Sequence, residues 1–391
     1  MITKEFLHKI TRERPVGSQA NGEIITLLQS HIPQNSYDVQ TLPFPAQTWK
    51  GGPSYLKLDG CTYPIEPSPF SRPYCGAGEI IVISTFDQLS TAQLAGRIIL
   101  LAGEIAQEQI MPKDFPFYYP DTHQQINDLL ELSKPAAIIA VTGKHPSCGL
   151  DPFSMFEDGS FTVPSAYISV KTLPMERACG QMAEICITSE VANVKSYQLV
   201  AQGKNCGSGK KKIVICAHMD TKYGTPGALD NATGVYILMQ LLHKLADYAG
   251  DYCLEFVPFN GEEYYAATGE ITYLEYLQHK LDSIALVINV DLVGCHDSQT
   301  AISTYNLPEE IKARLHSQIA ANSAIVEGEP WVEGDHSIFA FQGVPTLAAV
   351  SSNFRDGAMG ITHTPDDTLD RVDLGLVEAT ADFFVEFIKS L

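Results

Sequence analysis

From residue 196 onward, apolar runs of strand length alternate with segments whose apolar residues recur every three or four positions. The runs at 211–217 (KKIVICA), 251–259 (DYCLEFVPF), 284–290 (IALVINV) and 344–350 read as buried strands. Between and after them, 231–248, 268–281, 308–322 and 372–390 carry helical spacing. In the first of these helices Val235, Leu238, Leu241, Leu242 and Leu245 mark one face. Such alternation predicts a largely parallel sheet with helices on both faces. The N-terminal stretch reads as two helices, 1–12 and 18–32. Ser18 is the N-cap of the second, and Ile24, Ile25, Leu27, Leu28 and Ile32 form its apolar face. Between about 46 and 195 the helix-length patterns thin out. Short β-branched runs at 78–84, 96–103, 136–143 and 163–169 stand between prolines and glycines, and one helix closes at 129–133 before Lys134-Pro135. This stretch reads as a mainly β insert.

Composition narrows the class. The 391 residues, 45% hydrophobic and 18% charged, describe a globular protein of one large or two ordinary domains. A net charge of −20 disfavours nucleic acid and anionic membranes as partners. No window approaches the roughly 20 apolar residues of a membrane span. The N-terminus, MITKEFLHKITRERPVGSQ, lacks the apolar core of a signal peptide. Nine scattered cysteines without a CxxC pair read as reduced thiols, which points to the cytoplasm.

Candidate chemistry gathers where the predicted strands stop. The first run leads into His218, the second into Asn260-Gly261-Glu262-Glu263 and the third into Asp291. Strand ends are where α/β sheets build their sites. Asp230 and His363 complete a set of two imidazoles and three carboxylates, spaced too widely for one helix or hairpin. Two neighbouring divalent metals need such a set if one carboxylate bridges. Asp220 stands two residues after His218 and faces the same side of an extended segment, where it can orient the imidazole. Glu262, beside Glu263, is the candidate general base. The competing reading of the Glu262-Glu263 pair is the acidic first turn of a helix. GKNCGSGKK (203–211) imitates a phosphate loop, but it has the wrong spacing and precedes a strand.

CAHMDTK, GALDNATG, FNGEEYYA, INVDLVG and THTPDDTLD resemble, in order, the signature of the co-catalytic dizinc aminopeptidases of peptidase clan MH. RPVGSQANGEIITLL resembles the opening segment of that family. The resemblance implies a peptidase domain of residues 1–46 and 196–391, with 47–195 similar to an inserted protease-associated domain. Its fold would be a three-layer, mostly parallel mixed α/β sheet with helices on both faces, the zinc exopeptidase fold. Its activity would be removal of N-terminal residues from peptides with a free amino terminus. The implied cofactor is two Zn2+ per chain, with Co2+ or Mn2+ as substitutes. Asp230 would bridge, His218 and Asp291 would complete one site, and Glu263 and His363 the other. Glu262 and Asp220 would be the catalytic pair, and the Asp230–Asn231 peptide would be cis. All these groups lie outside the insert.

The chain also departs from the pattern. Many relatives carry tyrosine before the last histidine, where this chain has Thr362. That leaves a metal, Tyr223, Tyr264 or Tyr265 to polarise the scissile carbonyl. Gly334-Asp335-His336-Ser337 resembles a family segment with serine in first place, and reads as pocket wall or plain loop. Trp331, Phe339 and Phe341 line the pocket or belong to the core. Asp366 and Asp367 are placed to cap the segment after His363. Four rival readings remain: a carboxypeptidase of the same fold, for which Arg355 is the local cationic clamp; an amidohydrolase; a glutaminyl cyclase; and a non-catalytic binding homologue, which should have lost ligands.

Overall fold

The helical spacing at the start of the chain forms α1 (Lys4–Ile10) and α2 (Gln19–His31). The Ser18 hydroxyl accepts the backbone N–H of Asn21 at 3.1 Å, an N-cap worth about 1 kcal/mol. In the computed structural model, which describes residues 2–173, 175–207 and 209–391, the chain divides into two units. One comprises 1–46 and 195–391, the other 47–194. The chain enters the second unit within β1 (Tyr37–Gly51).

The second unit contains β2 (Ser54–Leu58), β3 (Cys61–Pro67), β4 (Tyr74–Ile83), α3 (Phe86–Thr91), β5 (Ile98–Leu101) and α4 (Asp121–Ser133). It continues with β6 (Ala137–Thr142), β7 (Ser165–Ser169), α5 (Met175–Ala178) and β8 (Met182–Ile187). Its strands close into a barrel in the order β2-β3-β7-β6-β5-β4-β8. Successive residues of a strand face opposite sides, and β5 uses both. Ile98 and Leu100 join the core that holds Leu56 and Ile185. Ile99 and Leu101 join the one that holds Ile126 and Leu130 of α4.

Within β9 (Ser189–Gly203) the chain returns to the first unit. Next come β10 (Lys212–His218), α6 (Thr233–Lys244), β11 (Cys253–Phe259), α7 (Thr268–Tyr276), β12 (Ile284–Val290) and β13 (Thr300–Tyr305). The last elements are α8 (Glu309–Ala320), β14 (Ile325–Glu327), α9 (Ser337–Ala340), β15 (Thr346–Ser351) and α10 (Leu374–Ser390). The sheet order is β1-β9-β11-β10-β12-β15-β13-β14. The central four strands are parallel. β9 runs antiparallel to β11 and β13 antiparallel to β15, so the sheet is mixed.

Ile213, Ile215, Leu254, Phe256, Leu286 and Ile288 share one core with Val235, Leu238 and Leu242 of α6. Burying each such side chain contributes about 1.5–3 kcal/mol. Glu255 and Phe259 alternate with these residues. They meet Tyr273 of α7, whose hydroxyl donates to Glu255 Oε1 at 2.6 Å. The sheet therefore carries a helix against each of these two sets of side chains.

Two expectations need correction. Not all cysteines are free thiols: Cys75–Cys186 and Cys206–Cys253 are disulfides. Cys75 and Cys186 are direct register partners on β4 and β8, a proximity that a separation of 111 residues conceals. The helix expected over 231–248 is shorter at both ends: Asp230 and Asn231 have non-helical backbone angles, so α6 starts at Thr233, and it stops at Lys244, before the non-helical Leu245.

Candidate metal centre

Because β10, β11, β12 and β15 are parallel, their C-terminal ends share one edge of the sheet. His218 is the last residue of β10, and Asp291 comes directly after the last residue of β12. Glu262 and Glu263 lie in a turn beyond β11 and not in a helix, so the helix-dipole reading of that pair falls away. His363 lies on the loop after β15, with a left-handed φ of 61°. Non-glycine residues are uncommon in that region.

Asp230 sits between two groups. Its Oδ1 is 3.0 Å from His218 Nε2, and its Oδ2 is 3.2 Å from His363 Nε2. His218 Nε2 also lies 3.4 Å from Asp291 Oδ1, and His363 Nε2 lies 2.9 Å from Glu263 Oε1. Two trios result, His218–Asp230–Asp291 and Asp230–Glu263–His363, each with ligand atoms within 4.8 Å of one another. The first trio is fully buried, and His363 is the half-exposed member of the second. Buried Asp291 Oδ1 and Glu263 Oε1 have no hydrogen-bond donor. Orphaned carboxylate oxygens facing imidazole nitrogens are the donor set that a divalent ion satisfies. The five residues therefore fit a metal pair.

The surrounding hydrogen bonds hold this arrangement. Asp220 lies opposite His218 Nδ1, but at 3.8 Å, beyond a hydrogen bond. Its oxygens instead accept the backbone N–H groups of Gly261 and Glu263, each at 3.1 Å. Asp220 therefore fixes the turn that carries Glu262 and Glu263. Lys222 donates to the Glu263 carbonyl at 3.2 Å, and its Nζ lies 3.7 Å from Glu263 Oε2.

Asp367, expected to cap the residues after it, reaches back instead. It accepts the N–H groups of Leu229 at 2.7 Å and of Asp230 at 3.1 Å. The Asp230–Asn231 peptide is cis, as the resemblance implied. Asn231 donates to the Val290 carbonyl at 2.9 Å and accepts the Gly234 N–H at 2.9 Å. A Cβ at Gly234 would stand 2.5 Å from the Val290 oxygen, so α6 approaches the end of β12 only with glycine there.

Electrostatics reflect this crowding. Burial alone would push the His218 imidazole down, but Asp291, Asp220 and Asp230 raise it well above its ordinary value. Burial likewise opposes ionisation of Asp230, yet His218 and His363 hold it well below the usual carboxylate range. Burial, and then the charges of Glu263, Asp291 and Asp230, push Glu262 well up in the metal-free protein. A cation at the trios would reverse that effect.

Other sequence-read residues lie elsewhere or serve the framework. Thr362 donates its hydroxyl to the Met359 carbonyl. Arg355 is exposed and stacks over Phe354, 5.1 Å from the ring centre. Trp331 and Phe339 are buried, and Phe341 is exposed. Tyr264 and Tyr265 are buried with their rings 4.5 Å apart. Sequence reasoning missed the pairing of buried Glu270 with Asp335. None of their four oxygens has a hydrogen-bond partner, and burial raises both carboxyls, Glu270 to about 8.

Residues 199–388 match Peptidase family M28. The chain thus carries a Peptidase family M28 domain, and the protein is a hydrolase of the peptidase class. No curated protein matches the sequence. Solved structures do resemble it. The aminopeptidase of Aneurinibacillus sp. strain AM-1 superposes with a TM-score of 0.76 at 18% identity, over 98% of this chain and 91% of that one. BSAP, a zinc aminopeptidase from Bacillus subtilis, gives 0.72 at 16% identity, over 98% and 93%. A Peptidase M28 precursor from Shewanella amazonensis gives 0.67 at 18% identity, over 98% and 90%. At these identities the likeness establishes a shared mixed α/β fold.

Proposed function

We propose that the protein is a two-zinc aminopeptidase that removes N-terminal residues from peptides with a free amino terminus. The observation that carries this reading is the division of Asp230 between two trios, each facing one of its oxygens. His218 and Asp291 would hold one ion and Glu263 and His363 the other, with Asp230 common to both. Two divalent ions there supply Lewis acidity and lower the pKa of a water toward neutrality. Glu262 would take the proton from the attacking water and return it to the leaving amine. Asp220 and Asp367 keep the two ligand loops in place by accepting their N–H groups.

Similarity to structures described as aminopeptidases supports the substrate class. The helices against opposite sides of the sheet support the three-layer exopeptidase arrangement. The seven-stranded barrel supports reading residues 47–195 as a protease-associated-like insert. No helix among the described residues is long and apolar enough to cross a membrane. The two disulfides withdraw the support that reduced thiols lent to a cytoplasmic residence. A panel of aminoacyl reporter amides, with and without N-terminal acetylation, tests the function. Turnover confined to free amino termini is expected. Equal turnover of the acetylated amides would replace aminopeptidase by amidohydrolase.

A further inference from the structure

Arg14 opens RPVGSQANGEIITLL, a segment to which the sequence reading gave no chemical role, yet its side chain is buried to 1% exposure. Its guanidinium donates to four backbone carbonyls. Nε reaches Met219 at 2.6 Å, Nη1 reaches Pro226 at 2.9 Å and Arg12 at 3.0 Å, and Nη2 reaches Gly227 at 3.1 Å. The Arg14 backbone N–H donates to Thr221 Oγ1 at 2.9 Å. Met219 comes directly after His218, and Gly227 stands three residues before Asp230. The fork therefore grips both ends of the loop between two candidate ligands.

The grip extends to a third ligand segment. The Arg14 carbonyl accepts from Asn21 Nδ2 at 3.2 Å. Asn21 and Asn260 then exchange side-chain hydrogen bonds of 2.8 and 3.1 Å. Asn260 begins the turn that carries Glu262 and Glu263. One arginine is thus linked to the segments bearing His218, Asp230 and Glu263.

A guanidinium buried among neutral carbonyls costs several kcal/mol unless charge nearby compensates. Burial does push Arg14 down, to about 10, and Asp220, Asp367, Asp230 and Glu263 act against that fall. The group stays charged at neutral pH, as arginine does in proteins, and the site carboxylates favour that charge. The loop is tight where the fork meets it. Gly227 has φ +61°, and a Cβ there would clash with the Asp230 carbonyl oxygen and with Thr221 Cγ2, and would stand 3.2 Å from Arg14 Nη1. Removing the fork would orphan buried carbonyls of the ligand loop, which native structures avoid.

We propose that Arg14 is a positioning residue for the metal centre: its fork sets the 219–227 loop so that His218 and Asp230 face the same pair of ions before either ion arrives. This rests on the two-metal reading. Lysine is a point donor and cannot reproduce a planar fork. Glutamine keeps planar N–H donors but neither the charge nor the reach.

The test uses the full-length Arg14→Lys and Arg14→Gln variants, so that one folded variant suffices. Zinc affinity is measured by competitive titration, and amide hydrogen exchange is measured on metal-free protein. In whichever variant folds, zinc affinity should fall by about 10–100-fold, the usual effect of losing a group that orients ligands. Exchange should quicken over 219–230 and 260–263 while β10 and β12 stay protected. Wild-type affinity with unchanged loop exchange would overturn the proposal. So would a lowered melting temperature with unchanged zinc affinity, which would make Arg14 a brace of the fold alone. If the wild type itself takes up no second ion, the two-metal reading fails, and the exchange comparison still decides the role of Arg14.

Discussion

Asp220 Oδ2 accepts the backbone N–H of Glu263 at 3.1 Å, while Asp220 Oδ1 stands 3.8 Å from His218 Nδ1. One carboxylate, two residues beyond the end of β10, therefore fixes the turn beyond β11. It joins the segments of the two trios through backbone and not through a member of either trio. Asp220→Ala leaves the N–H groups of Gly261 and Glu263 without acceptors. Each buried, unsatisfied N–H costs about 1–3 kcal/mol. The metal-free variant should melt below wild type and bind zinc more weakly at the trio containing Glu263. Thermal melts and zinc titration check both effects.

Glu262 and Glu263 are neighbours with opposite expected phenotypes. Under the proposed mechanism, Glu262→Gln removes the base and leaves the five proposed ligands in place. It should keep its zinc and lose about 10²–10⁴-fold in kcat. Glu263→Gln removes a ligand and should lower zinc content. Metal analysis beside steady-state kinetics separates them, and an exchange of the two outcomes would mean that the roles are reversed.

The Glu270–Asp335 pair predicts a pH dependence of stability. Burial, and next the charge of Asp220, raise Glu270 to about 8. The folded protein then holds a proton that the unfolded chain releases near the ordinary glutamate value of 4.5. This stabilisation is complete below 4.5 and is lost as pH rises through about 8. The slope in that window approaches 1.4 kcal/mol per pH unit. Glu270→Gln cannot release a proton. Urea denaturation of the metal-free variant between pH 5 and pH 9 should show a shallower decline than wild type. Parallel curves would mean that Glu270 releases its proton at the same pH in the folded and unfolded chain.

The depth to which the sequence could be read depends on the range of each interaction. His218, Asp291 and Glu263 stand at or past the ends of buried, mainly apolar strands, so the end of an apolar run marks each one. The parallel order of β10, β11 and β12 is implied by the intervening helical patterns. β13 and β14 went unread because Thr300–Tyr305 mixes polar and apolar residues and Ile325–Glu327 is three residues long. Asp367 acts on Leu229 and Asp230 across more than 130 positions, and Arg14 acts across more than 200. No local pattern encodes either contact. The Cys75–Cys186 bond escaped for the same reason, since only the register of β4 and β8 brings the two together.

The central claim is that Asp230 serves two ions at once. Zinc stoichiometry of the wild type and of Asp230→Ala, measured by calorimetric titration of metal-free protein, tests it most directly. The account predicts two equivalents per chain for the wild type and loss of both high-affinity sites in the variant. A wild type that saturates at one equivalent, or a variant that still binds two, would contradict it.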